Sequence, residues 1–186
     1  TTEEVCRFFS GLDLSQDLRD MIGICYYCCH QAVEFDAPAD CLARLADAGV
    51  RIAKVQISSA LNLLAPSPEV LSHFDEPCYL HQVVVRNRKG ELVRYNDLPE
   101  ARVRHSMDAG EEWRCHFHVP IFLSGAGSYG TTRFFLEEML PLLPHDLLLE
   151  VEGYPVHLHC VISPVDTAGD ARLVLEFREL QQQMRI

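Results

Sequence analysis

Basic residues are scarce in this chain. Sixteen Lys and Arg stand against 27 Asp and Glu, giving a formal net charge of −11 over 186 residues. A protein that grips nucleic acid or an anionic membrane needs a basic face to offset phosphate repulsion, and none is available here. Long apolar runs are also missing: no uninterrupted stretch approaches the ~18 residues of a membrane span. Internal repeats, low-complexity tracts and interdomain linkers are absent from the sequence, which reads as a single domain over 1–186. The chain opens at Thr1 and Thr2 with neither an initiator Met nor a signal-like apolar segment, so any targeting sequence would lie upstream.

Cysteine is not lacking, but a cysteine framework is. Eight cysteines are scattered through apolar runs, the pattern of reduced, buried thiols, and a cytoplasmic location is expected. Around Cys25, Cys28, Cys29 and His30, a haem-attachment motif fails by one position because Cys29 intervenes. A structural zinc site would need a second ligand pair at suitable spacing, and the sequence offers none that is evident. Core packing is the default for these thiols.

What is present is 48% hydrophobic residues, enough for a sizeable core, arranged in strand–helix alternation. Short helical pieces are expected at 3–9 and 15–22, followed by a strand from Ile24 to Cys29. A helix over 37–48 has Pro38 in its first turn, Leu42 and Leu45 on its apolar face, and Gly49 as its stop. A second strand at 51–58 completes a βαβ unit, hence parallel pairing. Residues 60–112 break this rhythm. Here 79–85 and 91–95 read as a β-hairpin about the turn at 87–90, within an insertion of about 75–100, flanked by loops carrying Pro66, Pro68, Pro77 and Pro99. A strand at 113–122, a helix at 131–143, a strand at 147–151 and a closing helix at 172–184 resume the alternation.

Four of these runs end in polar residues, where α/β sheets and barrels keep their chemistry. Alternation puts His116 and His118 on one strand face, with Phe117 and Val119 on the other. Lys54, Gln56 and Ser58 share a face, as do Glu150 and Glu152. Such residues are often only hydrogen-bonded interior polars. Convergence of Glu152, Gln56, His118 and His30 at one mouth would instead suit a divalent ion such as Mn²⁺, Mg²⁺ or Zn²⁺.

The segments 23–35, 54–61, 74–77, 79–83, 116–120, 130–132 and 149–152 together resemble the EboE metabolite-traffic proteins, within the xylose isomerase-like (sugar phosphate isomerase/epimerase) TIM barrels. The resemblance implies the C-terminal half, strands five to eight, of a (β/α)₈ barrel with a hairpin inserted after strand six. The N-terminal half of the barrel would then be needed to complete it. It also implies a small polar, sugar-like substrate and metal-dependent isomerase or epimerase chemistry. Gln56 matches the strand-six metal ligand. Glu152 matches the strand-eight ligand and catalytic acid/base, and His118 joins the metal set. His30 matches a substrate-contacting, catalytic His, with His116, Lys54 and Tyr27 as further substrate contacts. Tyr27 stands where the superfamily has a metal-binding Asp, a departure because a phenol stays protonated near pKa ~10. The alternative is therefore a catalytically inactive barrel that binds a small metabolite within an assembly. A metal-dependent endonuclease on the same fold conflicts with the acidic surface. An isolated half barrel would leave strand edges open, so a homo-oligomer is among the expected states.

Overall fold

The structure, a computed structural model, describes residues 1–64, 66–75, 78–127, 129–152 and 160–162. The closing helix expected at 172–184 lies outside these residues. Two helices come first: α1 (Thr2–Ser10), opened by a reciprocal capping box between Thr1 and Glu4, and α2 (Gln16–Met21). Strand β1 (Ile24–Tyr27) then runs directly into α3 (Cys28–Val33). The expected strand therefore ends two residues early, and Cys28, Cys29 and His30 are helical. Helix α4 (Pro38–Asp47) has Pro38 at its first position, and Gly49, at φ +66°, turns the chain into β2 (Ile52–Ile57).

Strands β1 and β2 pair in parallel, Tyr26 opposite Val55 and Tyr27 opposite Gln56. The other edge of β2 is taken by β9 (Leu148–Val151), also parallel, with Gln56 opposite Glu150. Residues 160–162 (β10) add an antiparallel edge strand. Tyr26, Val55 and Ile57 turn one face of this sheet towards a core with Cys41 and Leu45 of α4 and with Phe135, Leu136 and Met139 of α7 (Arg133–Met139). The opposite face carries the polar series.

Only Ser58 separates β2 from β3 (Ser59–Leu64), which begins a second, antiparallel sheet. Its order is β5-β4-β6-β3-β8-β7, with β4 (Val83–Arg86) and β5 (Leu92–Tyr95) forming the hairpin about residues 87–90. Strands β6 (Glu112–Val119), β7 (Gly125–Ala126) and β8 (Tyr129–Thr131) complete it. Leu61, Leu63, Val83, Val85, Trp113, Cys115 and Val119 line one face, with Leu71 of α5 (Pro68–Ser72) and with Leu98 and Ala101 of α6 (Leu98–Arg104).

The architecture is thus mixed α/β, with a parallel three-stranded unit and an antiparallel sheet, and the described residues form no closed barrel. The strand at 113–122 was expected to be a parallel barrel strand, but β6 pairs antiparallel with β3 and β4. The reason is edge occupancy: β9 already takes the β2 edge that a following parallel strand would need. Meanwhile β3 offers β6 a long antiparallel partner.

Helix α3 lies where the two sheets meet. Cys28 and Ala32 pack into the parallel-sheet core, while Cys29 and Val33 pack on Ala60 and Val84 of the antiparallel sheet. Buried Arg114 ties the helix down. Its Nη1 donates to the Ala32 carbonyl (2.6 Å), its Nε to Glu112 Oε1 (2.8 Å), and its guanidinium stacks 3.8 Å from the Phe35 ring centroid.

Candidate functional site

The start of α3, the middle of β6 and the ends of β2 and β9 supply the candidate residues. The Cys29 N–H donates to Ser58 Oγ (3.2 Å), which anchors the first turn of α3 to the β2–β3 junction. On β6 the ladder jumps from the pair Ala60–His118 to the pair Leu61–Cys115. His116 and Phe117 bulge out of register, and the His116 N–H turns to the Gln82 carbonyl (2.8 Å). Bulges of this kind re-aim side chains beside functional sites. Here the bulge points His116 and His118 towards α3.

The imidazoles meet there. His116 Nε2 and His118 Nε2 are 2.9 Å apart, and His118 Nε2 lies 3.7 Å from Cys29 Sγ. The His30 ring sits 3.9 Å from that of His116 and edge-on to Tyr27 at 5.3 Å. Burial holds all three imidazoles below their ordinary pKa, His116 down to about 3. Neighbouring His118 lowers His30 further, whereas the nearby Glu152 carboxylate opposes that shift. The three rings are neutral at pH 7, each with a lone pair to offer. Burial pushes the Cys29 thiol up to about 12, so without a cation it remains protonated.

Beside this group runs the polar face of the parallel sheet. Lys54 Nζ pairs with Glu150 Oε2 (2.5 Å), and Gln56 Nε2 donates to the same oxygen (3.3 Å). The hydrogen bond to Glu150 raises the Lys54 pKa. Burial raises that of Tyr27, whose phenol stays protonated. The Glu152 N–H donates to the Ile57 carbonyl (3.0 Å), and its carboxylate lies near enough to His30 to stabilise the imidazolium. Ammonium, amide, phenol and carboxylate in one row are the groups that hydrogen-bond a polyhydroxylated or carbonyl-bearing small molecule.

The expected residues therefore fall into two adjoining groups. His30, His116 and His118 come together, as do Lys54 and Gln56 with Glu150, while Tyr27 and Glu152 flank His30. The expected metal set of Gln56, Glu152 and His118 is only partly suited to its ion. Gln56 Oε1 is a buried acceptor without a hydrogen-bond partner, the kind of oxygen a cation could use. His118 Nε2, however, faces an imidazole and a thiol rather than oxygens. That surrounding suits Zn²⁺ better than Mg²⁺ or Mn²⁺.

No family model, curated protein or solved structure matches this chain. Its chemistry is read from its own residues. Among the described residues, the Cys, His and acidic donor atoms that gather in a group of three within 4.8 Å of one another belong to Cys29, His116 and His118. Cys29 is absent from the sequence-derived set. Its adjacency to His30 just after a strand, together with two histidines spaced i and i+2 on another strand, was the available signal. Among the same residues, no helix is long and apolar enough to cross a membrane.

Proposed function

We propose that the chain forms part of an EboE-type, xylose isomerase-like protein that moves a proton on a small polar, sugar-like metabolite beside a divalent metal ion. The observation that carries this reading is the junction of His30 with Tyr27 and Glu152 at the C-terminal ends of the parallel strands β1 and β9, closed by His116 from antiparallel β6. A neutral imidazole next to a carboxylate is suited to take a proton from a carbon beside a carbonyl and to return it. Lys54, Gln56 and Glu150 would hold the substrate oxygens. The parallel trio β1, β2 and β9 supports descent from the second half of a barrel, completed by a preceding N-terminal half. Strand β6 does not take the place between β2 and β9 that a regular barrel gives its seventh strand.

One observation favours a second reading, a silent metabolite binder: Tyr27 is a neutral phenol where the superfamily has a metal-binding carboxylate. A single experiment separates the two. Protein from the complete coding sequence is incubated in D₂O with a panel of aldoses, ketoses and their phosphates, and deuterium beside the carbonyl is followed by NMR. The enzyme reading expects exchange that falls by about 10²-fold or more in Glu152→Gln. Ligand binding without exchange, unchanged by that substitution, would establish the binder instead.

A further inference from the structure

The geometry points to a zinc-class metal site made by Cys29 Sγ, His116 Nε2 and His118 Nε2, a set of one sulfur and two nitrogens that shares only His118 with the expected ligands Gln56, Glu152 and His118. Tetrahedral Zn²⁺, with bonds of about 2.3 Å to sulfur and about 2.0–2.1 Å to nitrogen, requires N···N of about 3.3 Å and S···N of about 3.6 Å. The observed separations are 2.9 Å between the two histidine nitrogens and 3.7 Å between His118 and Cys29. All three donor atoms lie within 4.8 Å of one another, so shifts of no more than about an ångström, taken up by side-chain rotation, seat the ion.

The supports of each ligand come from different elements. Cys29 is fully buried and pinned through its N–H to Ser58 Oγ. His116 is aimed by the bulge and held through its N–H to the Gln82 carbonyl. His116 and His118 present their Nε2 atoms to each other, an arrangement that two neutral rings sustain by sharing one proton. The cation would take the place of that proton. Both rings then carry their hydrogen on Nδ1, the Cys29 thiol gives up its proton, and one H⁺ leaves per ion bound. Three protein ligands leave a fourth position open, as in catalytic rather than structural zinc sites. His30, whose ring lies 3.9 Å from that of His116, stands beside the three ligands.

Sulfur selects the ion. Thiolate and imidazole favour Zn²⁺ or Co²⁺ and disfavour Mg²⁺ and Mn²⁺. The inference concerns which residues hold the metal and does not depend on turnover. If sulfur proves not to be a ligand, the proposed proton transfer beside a divalent ion is left standing.

The test uses protein from the complete coding sequence, stripped with chelator and reloaded with Co²⁺ or Zn²⁺ alone. One equivalent per chain is expected, with the thiolate-to-cobalt charge-transfer band and intense visible bands of a tetrahedral site. X-ray absorption on the zinc form should show one sulfur scatterer at about 2.3 Å, a readout that needs no variant. Cys29→Ser should abolish the charge-transfer band, and His118→Gln should lower stoichiometry, while Gln56→Ala and Glu152→Gln keep both. A first shell of oxygen and nitrogen without sulfur would overturn the proposal. So would metal lost in Glu152→Gln but retained with its charge-transfer band in Cys29→Ser, or no bound metal at all.

Discussion

Arg114→Met is the substitution whose cost can be worked most directly from contacts. Arg114 is 7% exposed and joins β6 to the C-terminal end of α3. Removing its charge takes a hydrogen bond from the Ala32 carbonyl at 2.6 Å, a loss of roughly 1.5–3 kcal/mol for a charged donor. It also removes stacking over Phe35 at 3.8 Å and Phe134 at 5.0 Å, together about 1–2 kcal/mol. Met refills most of the volume and restores about 1 kcal/mol through burial. Glu112 keeps Arg86 as a partner, so the change does not strand a buried carboxylate. The net expectation is destabilisation by about 3 kcal/mol, which at a urea m-value near 2 kcal/mol/M lowers the unfolding midpoint by about 1.5 M. Arg86→Ala is the control. Arg86 is far more exposed, and its loss should cost no more than about 1 kcal/mol. Urea denaturation followed by tryptophan fluorescence reports Trp113, buried in the same sheet. A cost below about 1 kcal/mol for Arg114→Met, or one equal to that of Arg86→Ala, would refute the idea that Arg114 clamps α3.

In metal-free protein, stability should fall as the solution is acidified through the histidine range. Folded-state pKa values of His30, His116 and His118 are lowered, so the folded state binds fewer protons than the unfolded chain. Their contribution is complete above about pH 6.5 and is lost as pH falls, for His116 over the interval down to about 3, at up to about 1.4 kcal/mol per pH unit for each group. Chemical unfolding from pH 7 to 4.5 checks the slope, which His116→Gln should make shallower. Gly23→Ala places a Cβ 2.8 Å from the Arg51 carbonyl oxygen, a backbone atom that cannot swing aside, and should lower stability by about 1–3 kcal/mol in a thermal melt. Thr132→Val keeps the shape but removes the hydroxyl that accepts the Ala60 N–H at 2.9 Å in a buried setting. A loss of about 1–3 kcal/mol is expected in urea titration, and a neutral result would mean another acceptor reaches that N–H.

The elements that the sequence disclosed are those written in local chemistry. Helix α4 announced itself through Pro38, Leu42, Leu45 and Gly49, and the hairpin through alternation on either side of residues 87–90. Helices α5 and α6 were hidden because Pro68 and Pro99 look like loop residues, although both occupy first-turn positions where a missing N–H costs nothing. Strand β3 escaped notice because it continues β2 with no turn signal between them. Pairing partners were the least legible feature. Nothing local in 112–119 distinguishes a parallel strand from the antiparallel one observed, since the choice depends on β9 occupying a distant edge. The candidate site shows the same division. The shared face of His116 and His118 followed from alternation, and they are 2.9 Å apart. Cys29 looked like an ordinary core thiol because its histidine neighbour is 89 residues away.

The single residue between β2 and β3 makes the two sheets one creased ribbon, with Ser58 at the fold line. Insertions and deletions should therefore be tolerated very unequally along the chain. Lengthening the turn at 87–90 changes only the hairpin's tip. One added residue at the crease would invert every side chain of β3. Leu61 and Leu63 would trade places with Ala60 and Asn62, and the wall against which α3 rests would become the wrong side of the sheet.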